Sequence, residues 1–238
     1  MIKLVDLYKE YKLINNSLEK NIKKLHKKSS YILNKDVELL ENKLSKFKET
    51  KFCVTCASGT DALVLSLMAL ELPRYSEVII PSYSWISTAS SVLLNNLNIK
   101  FIDIKINDCC INIEDLIKKI SKRTKAIIVA DLYGNAVQTD LLKRICKNNN
   151  IYLIIDGAQS FGSKNHNKYF DIYTTSFFPA KSLGCFGDGG ACFTNNKILE
   201  KKLKILRLNG QYTKYNSSVL TISPFTTFFC ISIFIVTF

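Results

Sequence analysis

Lys181 stands in the stretch Ser176-Phe177-Phe178-Pro179-Ala180-Lys181-Ser182-Leu183-Gly184, one lysine among apolar and small residues. Gly187-Asp188-Gly189-Gly190 follows, so three of the chain's nine glycines fall within four positions, where they allow backbone to approach a ligand closely. Burial disfavours the charged form of a lysine and lowers its basicity. A lysine so placed can act as a Schiff-base nucleophile. A solvated loop lysine beside a glycine turn fits the same residues, and that alternative stands unless other groups converge on Lys181.

Three other groups have the types and spacing for related chemistry. Asp156-Gly157-Ala158-Gln159 follows the apolar run 151–155, which puts a carboxylate and an amide at a strand end. Phe52-Cys53-Val54-Thr55-Cys56 leads into Ala57-Ser58-Gly59-Thr60 and then a helical pattern over 61–72. Strand, small-residue turn and helix present backbone N–H groups at a helix N-terminus, a site for an anion. A simple N-cap by Ser58 or Thr60 is the other reading. Trp85, the only tryptophan, follows the apolar strand 77–81; it either packs in the core or stacks on a planar ligand.

The elements that must position these residues alternate along the chain. Apolar spacing predicts helices over 16–28, 36–48, 61–72, 87–94, 112–120, 139–148 and 197–207. Apolar runs predict strands over 52–56, 77–81, 99–104, 125–130, 151–155, 171–178 and 190–194. This order implies an α/β fold, three layers with a largely parallel sheet. Ligands of such sheets sit beyond the carboxyl ends of the strands. Thr60, Trp85, Asp156 and Gln159 all fall there, so one edge gathers them.

A chain of 238 residues suffices for one sizeable domain. The net charge of +13 is spread at helical spacing among Leu and Ile, as solvated helix faces are, and no nucleic-acid signature accompanies it. Eight cysteines without a signal peptide imply a cytoplasmic protein with reduced thiols. Cys53-x-x-Cys56 raises a redox pair, while His26 and His166 have no partner at zinc-ligand spacing.

Taken together, the residues are a parts list. Lys181 would hold an aldehyde, Asp156 would keep a pyridine nitrogen protonated, Ser58, Gly59 and Thr60 with Ser176 would bind phosphate, and Trp85 would stack on the ring. That points to pyridoxal 5'-phosphate. The motifs Asp156-x-x-Gln159, Ser176 to Gly184 and Gly187 to Gly190, with Ala57 to Leu63, Pro81 to Trp85, Val5-Asp6-Leu7 and Leu132-Tyr133-Gly134, resemble the nucleotide-sugar aminotransferases of the DegT/DnrJ/StrS type.

The resemblance covers residues 1–216 and implies the aspartate-aminotransferase fold, with that range as the cofactor-binding large domain. It implies that Lys181 carries the cofactor and shuttles protons, that Asp156 pairs with the ring nitrogen, and that Gln159 contacts the ring-hydroxyl side. It further implies a ping-pong transfer of an amino group, usually from glutamate, to a nucleoside-diphosphate keto-sugar, for polysaccharide or deoxyaminosugar synthesis, in a homodimer with shared sites. Members with histidine in place of the lysine act as dehydratases, and Lys181 favours transamination. The resemblance also implies a second alanine where Gly157 stands and a histidine near Phe161, two departures expected to be tolerated.

The larger departure is length, since members continue into a smaller C-terminal domain. No charged residue follows Lys214, and 217–238 is a hydrophobic tail containing Pro224. It reads as truncation or a frameshift ahead of a membrane anchor, which needs ~20 apolar residues without such interruptions, or an apolar strand. A chain without the smaller domain is expected to be impaired in turnover or, at the extreme, a non-catalytic remnant.

Overall fold

The computed structural model describes residues 5–29, 31–137, 139–163, 169–208, 210–213 and 216–217. Of the expected hydrophobic tail only Ser217 is among them, so that expectation lies outside the described residues.

The chain opens with two helices, α1 (Leu7–Lys28) and α2 (Lys35–Phe47). Asp6 and Asn34 cap them, each side chain accepting from backbone N–H groups of the first turn. Strands and helices then alternate: β1 (Phe52–Cys56), α3 (Gly59–Ala69), β2 (Glu77–Pro81), α4 (Ile86–Leu94), β3 (Asn98–Ile102), α5 (Ile113–Lys119), β4 (Thr124–Ala130), α6 (Thr139–Asn149), β5 (Tyr152–Asp156), β6 (Ile172–Ser176), β7 (Gly190–Thr194) and α7 (Lys197–Arg207). A short antiparallel ribbon, β8 (Gln211–Thr213) with β9 (Asn216–Ser217), comes after α7.

The seven-stranded sheet has the order β1-β7-β6-β5-β4-β2-β3. Only β7 runs against its neighbours β1 and β6; the other pairings are parallel. The carboxyl ends of β1, β2, β4, β5 and β6 therefore share one edge, and β7 begins at it. Two apolar clusters cover the sheet. One joins Leu40 and Leu44 of α2, Leu116 of α5 and Leu142 of α6 to Ile127, Val129 and Ile155; the other joins Leu63 and Leu67 of α3, Val92 of α4 and Leu203 of α7 to Ile128 and Ile154. Alternate residues of each strand feed opposite clusters, as a sheet buried on both faces requires. This is the expected three-layer α/β architecture.

The same alternation disposes of the cysteine pair. Cys53 packs in the first cluster and Cys56 in the second, on opposite faces of β1, so their thiols cannot meet. Burial also pushes the Cys53 thiol well above its usual range. The helix expected from residue 61 begins at Gly59, because the Ser58 side chain caps it by accepting from Asp61 N.

Candidate cofactor site

The shared strand edge forms a cavity of ≈ 490 Å³ lined by Ser58, Gly59, Thr60, Trp85, Asp156, Gln159, Ser176 and Lys181. All eight residues singled out in the sequence therefore meet in one place. Asp131, Ser87, Phe178 and Asp188 line it too.

Lys181 reaches the cavity from the connection between β6 and β7. That connection is tied down at its ends: Phe177 N donates to Gly189 O (2.7 Å), Cys185 N to Phe177 O (2.8 Å), and Lys181 N to Phe178 O (2.8 Å). The buried Phe177 ring anchors the base of the loop in the core, and the Ser182 hydroxyl donates to Phe161 O at 2.9 Å. Lys181 itself is half-buried, so the solvated-loop alternative does not describe it.

Asp156 ends β5 and is buried at 9% exposure. Its Oδ1 accepts from Ala158 N (3.2 Å) and its Oδ2 from the Thr88 hydroxyl (3.2 Å), with Ser84 Oγ 2.9 Å behind Thr88. Burial pushes its carboxyl above the ordinary value, while the Ala158 N–H, the Thr88 hydroxyl and the charge of Lys181 act against that. No ion pair to Asp156 occurs among the described residues. A buried carboxylate held by neutral donors at the wall of a cavity suits a cationic ring N–H as partner.

Gln159 Oε1 accepts from Tyr133 N at 3.0 Å. That bond fixes the side-chain amide and leaves its NH₂ group to donate elsewhere. Tyr133 reaches this position with φ 56°, a left-handed conformation that a bulky residue adopts only where its surroundings hold it.

The anion end is the first turn of α3. Ser58 is a genuine N-cap, as the simpler reading held, with its hydroxyl also donating to Asp61 Oδ2 at 3.0 Å. The backbone amides of Gly59 and Thr60 still lack intrahelical acceptors there. Thr60 Oγ1 lies 2.7 Å from Ser87 Oγ. A Cβ at Gly59 would meet Ser176 Cβ at 2.6 Å, so glycine lets the turn close against the end of β6 and brings the Ser176 hydroxyl to the same corner. Trp85, 71% exposed at the N-cap of α4, is a cavity wall and not a core residue.

These features fit a flat, phosphorylated pyridine aldehyde. Unsatisfied helix amides lie at one end, a buried carboxylate at another, an indole beside them and a lysine amine within the same cavity. Thr88, Ser87 and Asp131 escaped the sequence reading. Thr88 lies one helical turn beyond Trp85, and Asp131 stands at the end of β4, so the strand-end rule that singled out Asp156 also pointed to it. Asp131 is almost fully buried, and burial pushes its carboxyl up to about 7.

Residues 12–224 match the model of the DegT/DnrJ/EryC1/StrS aminotransferase family. The chain is 36% identical over 220 residues to UDP-2-acetamido-2-deoxy-3-oxo-D-glucuronate aminotransferase of Pseudomonas aeruginosa, covering 91% of this chain and 61% of that protein. Its fold superposes on the S. venezuelae protein DesV with a TM-score of 0.88 at 27% identity, covering 92% of this chain and 60% of the other. The E. coli GDP-4-keto-6-deoxy-D-mannose-3-dehydratase, solved with hydrated PLP, gives a TM-score of 0.76 at 27% identity, over 82% of this chain and 52% of that one. The chain thus spans about 60% of the length of the first two. The matching span takes in every element of the cavity, and the chain belongs to the DegT/DnrJ/EryC1/StrS aminotransferase family.

Proposed function

We propose that this chain provides the pyridoxal-phosphate site of an aminotransferase that passes an amino group from glutamate to a keto-sugar carried on a nucleoside diphosphate. The observation that carries the reading is that Lys181 and the carboxylate of Asp156, which has no ion-pair partner among the described residues, face one cavity with the α3 N-terminus. Bound there, the cofactor supplies an electron sink for the bonds at the amine-bearing carbon.

The chain's own residues have separable tasks. Lys181 presents the Nζ amine and then takes up and returns a proton at that atom. Asp156 holds a proton on the ring nitrogen, with Thr88 and the Ala158 amide steadying its two oxygens. Gln159 donates its NH₂ to the ring oxygen, because Tyr133 occupies its carbonyl. Gly59 and Thr60 amides, with the Ser176 hydroxyl, bind phosphate, and Ser58, whose hydroxyl donates to Asp61, caps the helix that presents them. Trp85 covers one face of the ring and keeps water from it.

Retention of lysine at position 181 supports transamination over the dehydratase alternative. The substrates' chemistry supports a role in polysaccharide or deoxyaminosugar synthesis. Tyr83, Trp85 and Ile86, close in sequence at the start of α4, are exposed apolar residues, which supports a homodimer in which a second copy covers them. The seven described cysteines are free thiols, which supports a reducing, cytoplasmic setting; among the described residues no helix is long and apolar enough to cross a membrane. Pyridoxal phosphate added to the purified chain should give a protein-bound absorbance band that glutamate converts to that of the aminated cofactor. A bound band that glutamate leaves unchanged refutes glutamate as donor, and conversion with no transfer to any nucleotide keto-sugar refutes the acceptor class.

A further inference from the structure

Asp131 is buried at the cavity, and nothing in the proposed reaction uses it. It stands one residue beyond Ala130, the register partner of Asp156. Strand alternation accordingly puts the two carboxylates on opposite faces of the sheet. Asp156 is held by Thr88 of α4, while Asp131 is gripped from the other side. Its Oδ1 accepts from Val137 N (3.2 Å) and its Oδ2 from the Ser160 hydroxyl (3.2 Å). Ser160 directly follows Gln159, and its oxygen lies 3.2 Å from the Tyr173 hydroxyl, which also reaches Gly157 O at 3.4 Å. These bonds hold both ends of the turn 157–160 from behind.

Lys48, the buried C-cap residue of α2, puts its ammonium 3.8 Å from the centroid of the Tyr173 ring and is the cation that faces Asp131. Among the described residues, Asp156 of β5, Tyr173 of β6 and Cys110 ahead of α5 also face Asp131. We propose that Asp131 is a positioning residue of the cofactor site, a carboxylate that anchors Ser160 and thereby the turn that aims Asp156 and Gln159, with Lys48 as its counter-charge. The inference rests on the cofactor reading above. The ionised form accepts both bonds as they stand, and a protonated carboxyl accepts more weakly. Because burial and Asp156 raise the carboxyl to about 7, the anchor strengthens as pH rises through neutrality.

The test titrates pyridoxal phosphate into the full chain and reads its Kd from quenching of Trp85, the only tryptophan. Asp131→Asn keeps the shape and removes the charge. The ratio of its Kd to the wild-type value should be near one at about pH 6 and about tenfold at about pH 8, the weight of one hydrogen bond to a charged acceptor. In a Lys48→Met background the same ratio should rise at higher pH, since the cation that favours ionisation is gone. Ser160→Ala removes the anchored hydroxyl and leaves the charge, so it should repeat the pH-dependent loss and serves if Asp131→Asn does not fold. A ratio that is the same at both pH values, whether one or larger, overturns the positioning role. Absence of quenching in the wild-type chain overturns the cofactor reading and this inference with it.

Discussion

Replacing Gly157 by alanine puts the packing beneath Asp156 to a quantitative test. A Cβ at Gly157 would lie 2.6 Å from Tyr173 Cε2, with the ring's Cζ and hydroxyl nearer still. The ring has nowhere to go: it is fully buried, with Phe170 and Phe193 at centroid distances of 5.7 and 5.9 Å and the Lys48 ammonium over its face. A methyl forced against rigid core costs ~1–3 kcal/mol, and a clash with a ring body that cannot swing aside belongs at the top of that range, ~3 kcal/mol. At ~2–4 °C per kcal/mol for a chain of this size, Gly157→Ala should melt ~6–12 °C below the wild type. Thermal unfolding followed by circular dichroism reads this directly. Tyr173→Leu is itself destabilising, but it removes the obstacle, so the double variant should be more stable than the sum of the single losses by at least ~1.5 kcal/mol. A melting temperature within ~2 °C of wild type for Gly157→Ala, or simple additivity in the cycle, would refute the packing argument.

Three further outcomes are expected. Asp156→Asn should weaken pyridoxal-phosphate binding by about 10–100-fold, and Thr88→Ala by less, as a charged and a supporting hydrogen bond are lost; equal losses in equilibrium titrations would contradict the hierarchy. Arg207 donates to Glu41 Oε1 and to Thr55 O (3.1 Å), pinning α7 to α2 and β1 with both charged side chains almost fully buried, so Arg207→Met should cost ~3–5 kcal/mol in urea unfolding and Glu41→Gln/Arg207→Met less than the sum of the two. In the cofactor-free chain, Asp131 binds its proton more tightly folded than unfolded, so its stabilising contribution is present below about pH 4 and is lost as pH rises to about 7. The stability difference between wild type and Asp131→Asn should therefore shrink by a few kcal/mol across that window, and a flat difference would contradict it.

The convergence of the candidate residues on one cavity was legible in the sequence because they sit at strand ends. Lys181, Asp156, Gln159 and the Ser58–Thr60 turn each follow an apolar run that stops abruptly, and strand-end placement alone predicts their meeting. Trp85 was ambiguous, since nothing local distinguishes a buried indole from one that walls a cavity. What stayed hidden depends on contacts distant in sequence. Thr88 matters only because the first turn of α4 comes within hydrogen-bond reach of the last residue of β5, and β1 joins the sheet only through β7, which lies over 130 residues away in the chain. Gly157 looked like a tolerated departure from alanine; the hydroxyl of Tyr173 fills the space an alanine methyl would take. Phe161, near which the resemblance implies a histidine, is buried and stacks 5.6 Å from Phe193, so an apolar ring is what this core accommodates there.

The most direct test of the central claim is borohydride reduction of the chain after incubation with pyridoxal phosphate, followed by peptide mapping. The account predicts one phosphopyridoxyl group, on Lys181, and none in Lys181→Ala. A modified lysine elsewhere, or an adduct that survives Lys181→Ala, would contradict it.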